Sequence, residues 1–185
     1  MAIYFIRHTA PQIEKGICYG QSDIPLAATF DQEAVAIQRK IPGKIVLAYS
    51  SPLLRCRKLA SILTGGQYVI DNRLLELNFG DWELMAWDQV PSQDLQAWMN
   101  DFVSQATPKG ESYLNLFERT IDFWQSIEQL GKQENILVIT HGGVIRAIQA
   151  YINSIPLEDS FSFKINYGHI CKLSYGNNYW QHTDC

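Results

Sequence analysis

A short apolar run, Ile3-Tyr4-Phe5-Ile6, stops abruptly at Arg7 and His8. That junction constrains the chain more than any other stretch. Four bulky apolar residues in succession read as a strand buried on both faces, the pattern of a parallel sheet. Such strands bind ligands at their carboxyl ends. This one delivers a guanidinium and an imidazole there. An imidazole nitrogen can attack phosphorus and carry the phosphoryl group covalently. A guanidinium beside it can grip phosphate oxygens through two parallel hydrogen bonds.

The junction has a counterpart. In ENILVITHGGVIRAIQAY, a second apolar strand over 136–140 meets His141-Gly142-Gly143, and a helix follows. Glycines there permit close backbone approach. The free amides and positive dipole of a helix N-terminus suit an anion. A third strand, 45–49, leads into SSPLLRCRKLA, where Ser50 and Ser51 signal a cap and Pro52 suits a first helical turn. Arg55 falls on that turn and Arg57 or Lys58 faces solvent. Glu76 stands between Leu75 and Leu77 in RLLELNFGDWE, either a general acid or an arginine's partner.

The element order expected is strand 2–6, loop 9–29, helix 31–40, strand 45–49, helix 52–64 and strand 67–70. Helices follow near 87–105 and 111–131, then strand 136–140, helix 143–153, and strands near 161–166 and 169–175. Alternating strands and helices predict an α/β fold, a mostly parallel sheet covered by helices on both faces. At 185 residues, one domain spanning 1–185 is expected. The chain is 46% hydrophobic, enough for a full core, and carries a net charge of −4. With a pI near 5.5 it is no nucleic-acid binder by charge. No stretch has the length of a membrane span or the shape of a signal peptide, so a cytoplasmic enzyme is expected. Cys18, Cys56, Cys171 and Cys185 show no metal or redox spacing and read as free thiols. No metal or other cofactor is expected.

Taken together, the segments resemble the histidine phosphatase superfamily, in its phosphoglycerate mutase-like branch. The resemblance rests on Arg7-His8, on SSPLLRCRKLA with Arg55, on ELNFGDWE with Glu76, and on His141-Gly142-Gly143, and it covers nearly the whole chain. It implies a three-layer α/β/α sandwich. It implies phosphohistidine chemistry at His8, a phosphate pocket of Arg7, Arg55, His141 and Gly142, and proton donation by Glu76. GICYGQSDIPLAATF, with Tyr19 and Gln21 as candidate substrate contacts, and TPKGESYLNLFERT are similar to the α-ribazole phosphatases of that branch. The expected substrate is then α-ribazole 5′-phosphate. The alternatives are a broad-specificity sugar-phosphate or nucleotide phosphatase and a non-catalytic phospho-ligand binder.

Five positions depart from the pattern. Thr9 and Ala10 replace a Gly-Glu pair, and Glu14 stands where mutase-like members carry asparagine. Leu84 and Lys109 stand where glycines are usual. Trp87 and Trp98, eleven apart, read as packing, and Trp82 as packing or part of a lid. His169 reads as structural, and His182 as part of a frayed tail.

Overall fold

A computed structural model describes residues 1–183. Six strands form one sheet: β1 (Ala2–Arg7), β2 (Leu47–Ser50), β3 (Val69–Ile70), β4 (Ile136–Thr140), β5 (Ile170–Gly176) and β6 (Tyr179–Thr183). Their spatial order is β3-β2-β4-β1-β5-β6. β3, β2, β4 and β1 run parallel, and β5 and β6 pair antiparallel at the other edge.

The apolar runs are continuous because both faces are covered. Ile3 and Phe5 of β1, with Ile136 and Val138 of β4, face α4 (Tyr113–Gly131) and α5 (Gly142–Asn153). Ala2, Tyr4 and Ile6, with Leu137 and Ile139, face α1 (Phe30–Gln38) and α2 (Leu54–Thr64). The two-residue period of a strand sorts these side chains into two cores. The expected three-layer sandwich is the observed one.

Three expectations need correction. No α-helix spans 87–105. Pro91 interrupts it, leaving a 3₁₀ turn at Trp87–Gln89 and the helix α3 at Ser92–Asn100. No strand forms at 161–166. Leu157–Ser162 is a 3₁₀ turn, and the carbonyls of Phe163 and Ile165 accept from Arg146 and Arg7 rather than from a ladder. The tail holding His182 is strand β6, anchored by Trp180 against Trp124 at 5.0 Å between ring centroids. Cys185 lies outside the described residues.

The helix-start signal at Ser50-Ser51 is displaced too. α2 begins at Leu54, and its first amide donates to Asp23 Oδ1 at 2.7 Å, a cap supplied by the loop before α1. Leu84 and Lys109, the two residues standing in for glycines, both hold left-handed backbone, at φ 67° and 56°. The turns keep the glycine conformation although the residues pay a steric penalty of about 1 kcal/mol each.

Candidate active site

β1 and β4 are adjacent and parallel, with Arg7 in register with Thr140. The residues that follow them, His8 and His141, therefore emerge side by side. Their rings lie 5.1 Å apart, edge to face, and both are fully buried. Arg55, on the first turn of α2, reaches between them and is also wholly buried. Its Nε donates to His8 Nε2 at 3.3 Å and its Nη2 lies 3.4 Å from His141 Nδ1. The same guanidinium donates to the carbonyls of Ser22 at 2.9 Å and Gly20 at 2.5 Å. Arg7 donates to the Ile165 carbonyl at 2.6 Å and lies over the Tyr167 ring at 4.0 Å. The buried Nε of Arg7 has no acceptor among the described residues.

The tautomer of His8 follows from its neighbours. Nδ1 is 2.7 Å from the Thr9 carbonyl, which can only accept, so Nδ1 carries the proton. Nε2 is left as a lone pair facing Arg55. For His141 the guanidinium can only donate, so Nδ1 accepts and the Nε2 proton points to Ser51 Oγ at 2.8 Å. Burial, then the charges of Arg55 and Arg7, hold the His8 imidazole well below its usual range, against an opposing pull from the Thr9 carbonyl. Burial, then Arg55, His8 and Arg7, do the same to His141. Both rings are neutral at pH 7.

Stability should register this. The unfolded imidazoles titrate near 6.5, above the folded values, so below that pH the unfolded chain binds more protons. The contribution is complete above 6.5 and is lost as pH falls through the folded values. Two protons give a slope of up to about 2.7 kcal/mol per pH unit. Urea midpoints at pH 7 and pH 5 should show a marked fall. Equal midpoints would mean that the two rings do not enter folding uncharged.

Glu76 sits across the pocket at the N-terminus of α5. Its carboxylate accepts from the Gly143 amide at 3.2 and 3.3 Å and from the Leu77 amide at 3.0 Å. Its nearest partners are therefore amides, not an arginine side chain. A Cβ on Gly143 would overlap Glu76 Oε1, which accounts for the second glycine of the pair. The Gly143 amide is thus taken by Glu76.

A brace invisible in the local sequence fixes the Glu76 segment. Arg119 of α4 donates to the carbonyls of Arg73, Leu75 and Glu76 at 2.8, 2.6 and 3.1 Å. It is held in turn by Glu111 at 2.6 and 3.1 Å, and Glu111 also accepts from the Asn78 amide at 2.9 Å. Gln21 turns out to belong to this brace. Its side chain donates to the Glu76 carbonyl at 3.0 Å, while its backbone and that of Ser22 are held by Glu83 at 2.8 and 2.6 Å. Tyr19 does reach the pocket. Its hydroxyl meets that of Tyr167 at 2.6 Å, forming a pair of rings beside Arg55 and Arg7.

Beside these groups lies a cavity of about 260 Å³ whose wall includes Arg7, Tyr19, Glu76, Gly143, Arg146 and Tyr167. Arg146 was not singled out in the sequence, although it lies three residues after Gly143 and so one turn along the same face. Cys18 also lines this cavity, but burial and the Glu83 charge push its thiol up to about 12, so it is no nucleophile. Trp82 is buried beside Cys18 and Val90, whereas Trp87 lines the cavity. The His169 carbonyl accepts from the Arg7 amide at 3.0 Å, a sheet contact. Among the described residues, no group of three or more His, Cys, Asp or Glu is placed to hold a metal ion. No described helix is long and apolar enough to cross a membrane.

The arrangement sets the unprotonated His8 nitrogen and the Arg55 guanidinium directly behind Tyr167 and Tyr19, next to a small cavity walled by the Arg7 guanidinium and the Glu76 carboxylate. It can bind a phosphate dianion, accept its phosphoryl group and move a proton at the leaving oxygen. Comparison with known proteins agrees. The adenosylcobalamin/alpha-ribazole phosphatase of Escherichia coli K12 is 26% identical over 176 residues, spanning 91% of this chain and 87% of that protein. A probable phosphoglycerate mutase, GpmB, of Escherichia fergusonii is 30% identical over 191 residues, spanning 97% and 87%. The crystal structure of the alpha-ribazole phosphatase from Shigella flexneri superposes with a TM-score of 0.90 at 23% identity, covering 100% of this chain and 95% of that one. The model of the histidine phosphatase superfamily, branch 1, matches residues 3–184, and the chain belongs to that superfamily.

Proposed function

We propose that the protein hydrolyses phosphomonoesters through a phosphohistidine on His8, and that α-ribazole 5′-phosphate is its substrate. The observation that carries the chemistry is the His8 tautomer. With Nδ1 held by the Thr9 carbonyl at 2.7 Å, the Nε2 lone pair is presented beside Arg55, at 3.3 Å from its Nε. Nε2 attacks phosphorus, and the bond to the leaving oxygen breaks. Arg7, Arg55 and the Gly142 amide hold the equatorial oxygens, so catalysis rests on positioning and charge. Glu76 protonates the leaving oxygen. It then takes a proton from the water that cleaves the phosphohistidine, as microscopic reversibility requires. The products are the free alcohol and phosphate, and His8 is regenerated.

Two features support the narrower substrate. Residues 16–30 carry the CYGQSDIPL string of the α-ribazole phosphatases. The E. coli relative bears that activity in its name. Hydrolysis is favoured over phosphate shuttling because Ala10 and Glu14 replace the residues usual in the mutases, and Glu14 is exposed.

The test is kcat/KM on α-ribazole 5′-phosphate against sugar phosphates, nucleotides and 3-phosphoglycerate. A preference of about a thousandfold or more supports the assignment. A flat spectrum leaves a general phosphatase, and no turnover leaves a binder. Glu76→Gln tests the acid separately. It should cost about a hundredfold or more on an alkyl phosphate but much less on p-nitrophenyl phosphate, whose leaving group needs no proton. Equal losses on both would leave Glu76 a structural anchor.

A further inference from the structure

A second cavity opens off the first, with a volume of about 370 Å³. The two share Leu77, Phe79, Trp87, Tyr113 and Phe161 as a common wall. The far side is closed by Trp98 and Met99 of α3 and by Phe102. We propose that this annex receives a planar aromatic or heteroaromatic end of the substrate's leaving alcohol. The inference rests on the phosphatase reading of the same site.

Three observations carry it. First, the annex adjoins the Glu76 and Gly143 side of the phosphate cavity, where the proton donor to the leaving oxygen must stand. A group placed there is attached to the leaving oxygen and not to the phosphate.

Second, its wall does not belong wholly to the core: Leu77 and Tyr113 are core residues, but Met99 and Phe161 are exposed. Helix α3 has no buried residue, yet it carries Leu95, Trp98 and Met99 toward the annex. Met99 is 58% exposed and Phe161 51%. Exposed apolar side chains on the wall of a cavity that adjoins a catalytic pocket suit a ligand.

Third, its walls are ring faces and edges. Trp87 and Trp98 stack at 6.2 Å and 23°, and Phe102 meets Phe161 edge to face at 5.0 Å. Such walls favour a flat ring, which can stack or present its edge, over a flexible chain of equal area. Polar groups occur only at the junction, where Arg146 lies over Phe161 at 5.2 Å and the Tyr113 hydroxyl is hydrogen-bonded to Ser160 at 3.1 Å. A polar linker between phosphate and ring would pass there.

The test compares 2-phenylethyl, n-hexyl and ethyl phosphates, three alkyl esters that make similar demands on the general acid. Wild-type kcat/KM should favour the phenylethyl ester over the ethyl ester by about 30-fold, the effect of burying one ring, and over the hexyl ester by about fivefold. Trp98→Ala should reduce the phenylethyl-to-ethyl ratio about tenfold, mainly through KM. Met99→Asp, at an exposed position, should lower the same ratio without disturbing a core, so the inference does not depend on Trp98→Ala folding. A wild-type ratio near one, an equal advantage for hexyl phosphate, or a ratio unmoved by Met99→Asp would overturn the annex assignment while the phosphatase reading stood. No turnover of any ester would overturn the phosphatase reading, and this inference with it.

Discussion

His8→Ala should lower kcat/KM on phosphate monoesters by about 10⁴-fold or more, with little loss of stability. The rate loss follows from the absence of any substitute nucleophile in the pocket. His141 is 5.1 Å away, but its Nδ1 already faces Arg55 and its Nε2 proton is directed to Ser51. The thiols of Cys18 and Cys56 are pushed up to about 12, so neither offers a thiolate at neutral pH. Stability should change little because the substitution removes a polar ring buried beside two arginines, which offsets the loss of its bonds to the Thr9 carbonyl and from Arg55. The measurement that separates chemistry from binding is labelling with a ³²P-monoester, quenched in alkaline detergent. Wild type should trap an acid-labile, base-stable phosphoenzyme, and His8→Ala none. A labelled variant would place the nucleophile elsewhere.

Arg55→Ala should damage both rate and fold. The guanidinium is wholly buried and donates to the carbonyls of Gly20 and Ser22, to His8 and toward His141. Truncation removes a transition-state contact, at a cost of about a thousandfold in kcat. It also strands two buried carbonyls, at a cost of about 3 kcal/mol. Arg55→Lys is the informative partner. It restores the charge but not the fork that spans loop and histidines. If the charge alone matters, lysine recovers most of kcat. The geometry argues that it recovers stability in part and kcat hardly at all. Denaturant unfolding and kinetics on the two variants decide between these outcomes.

The chemistry was legible where it is contiguous. Arg7-His8 and His141-Gly142-Gly143 each join a strand to its functional end within a few residues, so a local pattern contains both the scaffold and the reactive group. Arg55 was legible because a proline and two serines mark a helix start nearby, even though the cap proved to be Asp23. What was not legible is long-range. Nothing near Glu111 or Arg119 announces that the pair holds the carbonyls of residues 73–76. Gln21 is a candidate substrate contact through its hydrogen-bonding side chain and the resemblance of its loop to the α-ribazole phosphatases. It is instead a strut, since a Cβ at Gly20 would overlap the Leu77 carbonyl and the loop lies directly on the Glu76 segment. The segment 161–166 alternates like a strand, but guanidinium groups claim its carbonyls. Competition of this kind for backbone acceptors leaves no trace in periodicity.

The position of β1 has a consequence for how the molecule comes into being. β1 lies in the middle of the sheet, flanked by β4 and β5, with which it pairs across more than 130 residues of sequence. The Arg7 amide finds its acceptor in His169 and the Arg7 side chain in Ile165. A nascent chain emerging from the ribosome therefore carries Arg7 and His8 long before it carries their neighbours. Closing so long a loop is slow relative to local helix formation. The nucleophile is made long before the partners that seat its neighbour Arg7, so the phosphate pocket stays unassembled until residues 165–169 have joined the chain.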